Sequence, residues 1–543
     1  MPFLKLSGGT IYDPAQGVDG VVADLWIENG KVVSAPETPT DVVTIDVSGR
    51  VVMAGAVDMH CHIAGPKVNT ARKMQPEQGR VGNGLTGRDS PMGSVPDILT
   101  AGYRYTGLGY TTCFDAAVTP MGARHIHHEF ELIPNIDTGF FVLVGNNQLA
   151  LQLIAENDLV GLQSFLGWLI NRAGAFAPKL VNPGGVEMWK QRAAGNARDL
   201  DELIDGFSVT PRQVVQGIAR AANELGLPHP VHIHGNNLGI PGNWSTTLET
   251  MRSLDGLKAH MTHVQFHSYG GSGDSDMGME SKVGPLVDYV NEHPELTVDV
   301  GQVMFGETTS MTADGPLGYF LQKINGDKWY SCDTELESGC GISPIHYRNR
   351  NFVNSLQWAI GLEWYLRVKD PWQVVMSSDH PNGGSFLAYP QIIRLLMDAS
   401  FRRETLKRVH PRVLQASCLR DLDREYTLSE IAIITRAGPA RILGLPNKGH
   451  LGIGADADVV VYTPSENYET MFSWPWLVVK AGQIVVRDGE LQTPATGKTL
   501  GVHREFDLGR EKQIEDWFER HYSISVRNYG HGRVGAERIE LVR

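Results

Sequence analysis

Apolar residues along this chain fall into short β-like runs separated by segments of helical period. The first clear run, Val51-Val52-Met53, leads into Gly55-Ala56-Val57-Asp58-Met59-His60-Cys61-His62. It is followed by Thr111–Asp115, Gly139–Val144, Ala177–Asn182, Pro230–His234, Met261–Phe266, Leu296–Gly301 and Gln373–Asp379, which makes eight β-like segments. Helical patterns fill several of the gaps. In the clearest, Thr210 is placed as N-cap and Pro211 as first helical residue, with Val214, Ile218, Ala221 and Leu225 on one face. Alternating β and α units in that number predict an α/β fold, a (β/α)8 TIM-like barrel whose active site lies at the carboxyl ends of its strands.

The two chain ends carry a different pattern. Asp24–Glu28 and Val42–Asp46 are β-like and punctuated by turns at Asn29-Gly30 and Ser48-Gly49, and similar pieces recur at Ala457–Tyr462, Trp476–Lys480 and Gly482–Val486. Neither set has enough apolar mass to stand alone. The expectation is a small β-sandwich built from residues 1–52 and 441–505, flanking a barrel of residues 53–440. A charged tail, residues 506–543, carries Trp517, Phe518, His521 and Tyr522 and is expected to dock on a neighbouring protein of a complex. The long excursion from Met304 to Trp358 precedes the last strand and is a candidate lid or substrate platform.

Composition narrows the partners. At 543 residues the chain exceeds the usual limit of one core, in keeping with a large domain plus a satellite. A net charge of −13 argues against nucleic acid as partner, although Arg348-Asn349-Arg350 and Arg402-Arg403 are candidates for a local basic pocket as well as for solvated faces. No stretch reaches the length of a membrane span, and Met1-Pro2-Phe3-Leu4-Lys5 does not open a signal peptide, so the expected location is cytoplasmic. The five cysteines are scattered, odd in number and without C-x-x-C spacing, so neither a disulfide framework nor an iron–sulfur site is indicated.

The candidate chemistry gathers at the predicted strand ends. Residues two apart on a strand share a face, so His60 and His62 would offer two imidazoles to one point while Cys61 faces away. His232 and His263 stand near the ends of later strands, and His234 shares the face of His232 as a possible ligand, substrate contact or supporting group. Asp379 ends the last strand, where a carboxylate can bind metal and move a proton; a helix N-cap before Pro381 is the bland alternative. Lys179 lies in an apolar strand, where burial disfavours its charge. From spacing alone a snorkelling structural lysine is the first reading, although a neutral lysine can also add carbon dioxide. His234, Asn236 and His267 are the candidate substrate contacts. The histidine-rich run Arg124–Glu129 reads as a polar helix start with structural roles.

This order of residues resembles the amidohydrolase superfamily, as does the ending Gly438-Pro439-Ala440-Arg441-Ile442-Leu443-Gly444-Leu445 with Gly454-Ala455-Asp456-Ala457-Asp458-Val459. Within it the chain is similar over essentially its whole length to the A-type subunits of formylmethanofuran dehydrogenases and of bacterial formyltransferase/hydrolase complexes. The carrying stretches are Lys179–Gly185, Thr262–Gly271, Val298–Gly306, Met311–Pro316 and Ser378–Asn382. The resemblance implies two zinc ions held by His60, His62, carboxylated Lys179, His232, His263 and Asp379, with His232 preferred to His234 on the superfamily's strand-five pattern. It also implies a formylmethanofuran-type substrate with a polyglutamate-like tail, other complex subunits as partners, and hydrolysis of a linear formamide to formate and amine. Condensation of formate with methanofuran in an archaeal-type dehydrogenase, ring opening of hydantoinase type, and a non-catalytic scaffold are the alternatives.

Overall fold

The computed structural model describes residues 3–38, 41–75, 95–192, 195–272, 278–332, 340–530 and 539–542. In chain order it opens with β1 (Phe3–Asp13), β2 (Val18–Glu28), β3 (Lys31–Val33), β4 (Val42–Asp46) and β5 (Val51–Ala54). There follow β6 (Ala56–Cys61), β7 (Tyr110–Val118), β8 (Asp137–Leu143), β9 (Ala177–Val181), β10 (His232–His234), β11 (Ala259–Met261) and β12 (Leu296–Asp299). An insertion supplies β13 (Gly306–Thr312), β14 (Tyr330–Cys332) and β15 (Cys340–Tyr347) before β16 (Val374–Val375). The chain ends with β17 (Val459–Tyr462), β18 (Pro475–Lys480), β19 (Gln483–Arg487), β20 (Glu490–Leu491), β21 (Thr499–Val502) and β22 (Ile539–Val542).

Strands β6 to β12 and β16 pair in parallel and in sequence order, interleaved with helices. The ring is closed where the chain after β16 meets β6, through His62 N–H donating to the His380 carbonyl at 2.7 Å and the Ser377 hydroxyl donating to the His60 carbonyl at 3.1 Å. This is the expected barrel, but its later strands are shorter than the apolar runs suggest. The sixth is Ala259–Met261, and Val264–His267 is a 3-10 turn rather than strand. Helix Pro211–Glu224 begins with the expected cap: Thr210 Oγ1 accepts from the Gln213 amide at 3.3 Å, and Gln213 Oε1 accepts from the Thr210 amide at 2.9 Å.

Both ends of the chain join one branched sheet, ordered β20-β19-β18-β17-β5-β1-β2-β3 with β4 on β1. Its period-two alternation serves two cores. Val52, Val459, Val461, Leu477 and Val479 fill the sheet's own cluster, whereas Met53, Val460, Tyr462 and Val478 turn to the barrel core. The tail packs its aromatic face within the chain. Ile514, Trp517 and Phe518 fall on one face of helix Glu511–His521 and are buried on this chain, Phe518 stacking on Trp168 with centroids 5.8 Å apart. β21 and β22 extend the barrel sheet from β8 rather than the terminal sheet. Arg402 is buried too, and donates to the carbonyls of Leu395, Leu422 and Arg424, so it serves the fold and not a basic pocket.

A buried ionic cluster pins the terminal sheet to the barrel. Lys480 Nζ donates to Asp137 Oδ2 at 2.6 Å, Asp458 Oδ2 at 2.9 Å and the Thr111 carbonyl at 3.2 Å. Lys448 Nζ reaches the same two aspartates and Asp456. Burial raises the Asp458 carboxyl's pKa, but the two ammonium groups outweigh it and hold it well below the usual carboxylate range. Removing one cation strands a buried anion, which costs about 3–5 kcal/mol. Lys480→Met is therefore expected to lower stability by about that amount in urea titration with little change in slope; an unchanged midpoint would show the cluster to be dispensable.

Candidate metal centre

The site is built on β6, where alternation sends Cys61 outward, its thiol donating to the Phe114 carbonyl at 3.3 Å, and sends His60 and His62 inward. Asp379 meets them from the turn after β16, with a left-handed φ of 51°. Its Oδ1 lies 3.1 Å from His60 Nε2 and 3.2 Å from His62 Nε2, and accepts from Asn382 Nδ2 at 2.9 Å. All three side chains are buried. These separations suit nitrogen and oxygen donors around one cation with bonds of ~2.0–2.1 Å.

Asp299, the last residue of β12, takes the other side of His60. Its Oδ2 is 2.9 Å from His60 Nδ1 and 3.1 Å from His260 Nε2, and its Oδ1 accepts the His263 amide at 2.9 Å. That bond holds His263 in a left-handed turn, φ 36° and ψ 47°. The turn is also why residue 301 is glycine: a Cβ there would sit 2.4 Å from the His263 Cβ. Burial alone would depress His60, but Asp299 and then Asp379 outweigh it and draw its pKa up to about 9.

Lys179 projects into the same space from β9, with Nζ 3.3 Å from Thr262 Oγ1. Burial pulls its pKa down to about 7, against the opposing pull of Asp299 and Asp379. His234 follows on β10, its Nε2 3.2 Å from Asp314 Oδ2, and its ring packs edge-on against His263 with centroids 4.6 Å apart. His60, His62, Lys179, His234, His263 and Asp379 all line one cavity of about 610 Å3. His263 Nδ1 is buried without a hydrogen-bond partner, so the donor set has capacity to spare for a cation, while His62 Nδ1 faces Asp115 Oδ1 at 3.5 Å.

His232, the ligand preferred on its strand, does not line this cavity. It sits one residue pair deeper, level with Lys179 across the β9–β10 register, with its ring 4.4 Å from that of Phe141 and its Nε2 3.1 Å from His60 Nδ1. The cavity-facing histidine of β10 is His234. Asn236 and His267, expected as substrate contacts, also lie behind the wall. Asn236 donates to Asn182 Oδ1 at 2.9 Å and to the Pro183 carbonyl at 3.0 Å, while His267 stacks on His263 at 5.4 Å. In the run Arg124–Glu129 the roles are structural as expected: His127 is buried with Nε2 2.9 Å from the Ala173 carbonyl, and His125 pairs with Glu129.

The excursion after β12 forms the outer wall. β13, β15 and β14 make an antiparallel sheet, and Leu317, Phe320 and Leu321 of helix Gly315–Asn325 face the cavity with Ile345, Tyr347 and Arg348. Sequence reasoning misses Asp299, His229, His260 and Asp314 as members of the site. The signal for Asp299 is present: a carboxylate at a strand end between Val298 and Val300, just as Asp379 stands at another.

Residues 43–486 match the amidohydrolase family Amidohydro_3. The chain belongs to that family. It is 42% identical to Protein FwdA of Methanocaldococcus jannaschii over 96% of both chains. It is 36% identical to the A-type subunit of the formyltransferase/hydrolase complex Fhc of Methylorubrum extorquens, over 96% of this chain and 95% of that one. The crystal structure of that organism's complex with methylofuran contains a chain that superposes with a TM-score of 0.92 at 35% identity, covering 99% of each. A dihydropyrimidinase of Brevibacillus agri, at a TM-score of 0.51 and 14% identity over 93% of this chain and 99% of that one, shares the fold.

His60 Nε2 faces Asp379 Oδ1 at 3.1 Å, so in the protonated imidazole its proton would stand where a cation would. Because that imidazole stays protonated up to about 9, metal uptake must release the proton, and apparent affinity should rise about tenfold per pH unit below that value and level off above it. Competition against a chelator of known pH dependence between pH 7.5 and 10 measures this; a flat profile would remove His60 from the ligand set.

Proposed function

We propose that this chain is a dinuclear zinc amidohydrolase acting on the linear formamide of a formylmethanofuran-type carrier, releasing formate and the free amine as the A-type subunit of a larger complex in the cytoplasm. The observation that carries the reading is the convergence of His60, His62, Lys179, His234, His263 and Asp379 on one walled cavity at the carboxyl end of the barrel. Similarity over 99% of a chain in the complex crystallised with methylofuran supports a carrier of that kind, and similarity to the A-type subunit of Fhc supports other subunits as partners. Among the described residues no helix is long and apolar enough to cross a membrane.

His60, His62, Lys179 as its carbamate, His234, His263 and Asp379 would together hold two zinc ions. Bound zinc supplies a Lewis acid for the formyl oxygen and brings the pKa of water toward neutrality. The chain's own residues do the rest. Leu317, Phe320 and Tyr347 exclude bulk water around the formamide, and Arg348 at the rim presents a cation to an acidic carrier. Asp379 takes one proton from the attacking water and gives it to the amine nitrogen as the C–N bond breaks, so that formamide and water become formic acid and the free amine, and the acid's proton then passes to the amine to leave formate and an ammonium. Asn382 Nδ2 steadies that carboxylate.

The same groups run the condensation of formate with the amine. The higher identity to the archaeal relative supports this second reading. The proteins that copurify decide between the two, a formyltransferase for hydrolysis and an iron–sulfur protein for condensation.

Asp379→Asn is expected to cut formate release from N-formylfurfurylamine by about 10²–10⁴-fold with circular dichroism unchanged. Full activity in that variant would rule out the proton transfer, and ring opening of hydantoin at a comparable rate by the unaltered protein would displace the formamide as substrate. Lys179 gives a pH test. Its amine is free above about 7, so carbamate formation with bicarbonate should increase from pH 6 to 8 and reverse on acidification. Native mass spectrometry reads the carbon dioxide adduct, a gain of ~44 Da on a lysine kept neutral by burial.

A further inference from the structure

Beneath the cavity lies a chain of buried imidazoles that the proposed reaction does not use. His229 Nδ1 is 3.1 Å from the Ile442 carbonyl oxygen. His229 Nε2 is 3.0 Å from His232 Nδ1, and His232 Nε2 is 3.1 Å from His60 Nδ1. His60 Nδ1 is also 2.9 Å from Asp299 Oδ2, which His260 approaches at 3.1 Å while its own Nδ1 is 2.8 Å from Thr297 Oγ1. His229, His232, His260 and Asp299 are fully buried.

The direction of each hydrogen bond from His229 to His60 follows from the far end of the chain. A carbonyl oxygen only accepts, so His229 must carry its proton on Nδ1. A buried imidazole with no carboxylate within hydrogen-bonding distance is held neutral, so His229 Nε2 accepts, and His232 must in turn carry its proton on Nδ1. His232 Nε2 then accepts, and faces His60 Nδ1. Asp299 asks the same of that nitrogen, since a carboxylate oxygen also accepts. Both constraints place a proton on His60 Nδ1 and leave Nε2 as the nitrogen directed at His62 and Asp379.

We propose that His229, His232 and Asp299 are positioning residues that lock His60 with Nδ1–H inward, so that the carbonyl of Ile442, on the helix following the barrel, sets which nitrogen His60 offers to the cavity. The proposal rests on the metal-centre reading above. It assigns a role to His232 that differs from ligation, and it accounts for a histidine in the segment Pro228-His229-Pro230 that no other feature of the site explains. A hydrogen-bonded partner on the far nitrogen of a ligating imidazole fixes its orientation and raises its basicity, and losing that partner typically lowers metal affinity about 10–100-fold.

Two measurements test it. In the full-length, metal-free chain labelled with 15N-histidine, resonances assigned by their loss in H229Q and H232Q should show Nδ1–H tautomers for both residues; an Nε2–H tautomer at either overturns the proposal. In Asp299→Asn the His263 amide retains the acceptor oxygen, so the amide NH2 faces His60 Nδ1 and drives the proton to Nε2. Zinc affinity measured against a chromogenic chelator should fall about 10–100-fold with the circular dichroism preserved. A folded Asp299→Asn variant with unchanged zinc affinity refutes the lock, and if the variant does not fold the tautomers of the unaltered chain decide. Failure of the functional reading looks different: the expected tautomers and tight zinc binding, with no formate released from N-formylfurfurylamine.

Discussion

Two carboxylates, Asp299 and Asp379, are buried on opposite sides of one imidazole, and the site depends on making that arrangement tolerable. An unpaired carboxylate in such surroundings would lose its charge or unfold its surroundings. Each here is met by several donors: His60, His260 and the His263 amide for Asp299, and His60, His62 and Asn382 for Asp379. His60 is the shared member, and its high pKa is the electrostatic signature of that position. The same surroundings that raise a proton's affinity at that point raise a cation's. The requirement explains local backbone choices as well, since the left-handed turns at His263 and Asp379 bring their side chains to strands of only two to four residues.

Short strands need support from outside the barrel. The terminal sheet provides it, because each of β5, β17 and β18 contributes alternate residues to the barrel core and to its own cluster. The ionic cluster of Lys448, Lys480, Asp137 and Asp458 stands at the same joint, beneath the strand that leads to β9 and Lys179. Burial of this kind brings specificity of docking more than net stability. The C-terminal helix adds aromatic cover through Phe518, which packs on Phe165 and Trp168, with Trp517 beside it.

Much of this is legible in the sequence because periodicity reports burial directly. The eight apolar runs, the cap at Thr210 and the pairing of the two chain ends all follow from local pattern, and so does the inward turn of His60 and His62. What pattern does not resolve is depth. His232 and His234 share a face, and only the register of β10 on β9 decides that the first lies level with Lys179 while the second stands at the cavity. Asn236 and His267 fall elsewhere than expected for a related reason: beyond a strand end the chain turns, and alternation no longer tells which way a side chain points. The aromatic face of the tail is plain in sequence, while the intrachain surface that receives it, around Trp168, is not.

The outer wall is fastened to the floor at two points. Asp314 caps the wall helix by accepting from the Leu317 amide at 3.3 Å and meets His234 with its other oxygen, while Asn382 accepts the Met311 amide at 2.7 Å and donates to Asp379. Wall and floor therefore share free energy. By reciprocity, whatever tightens the grip of His234 and Asp379 on their target must tighten the seating of the wall to the same extent, and whatever fills the cavity and presses the wall home must return that energy to the floor. A chain built in this way shapes its pocket from both sides at once, and a change at the floor is returned as a change in the wall.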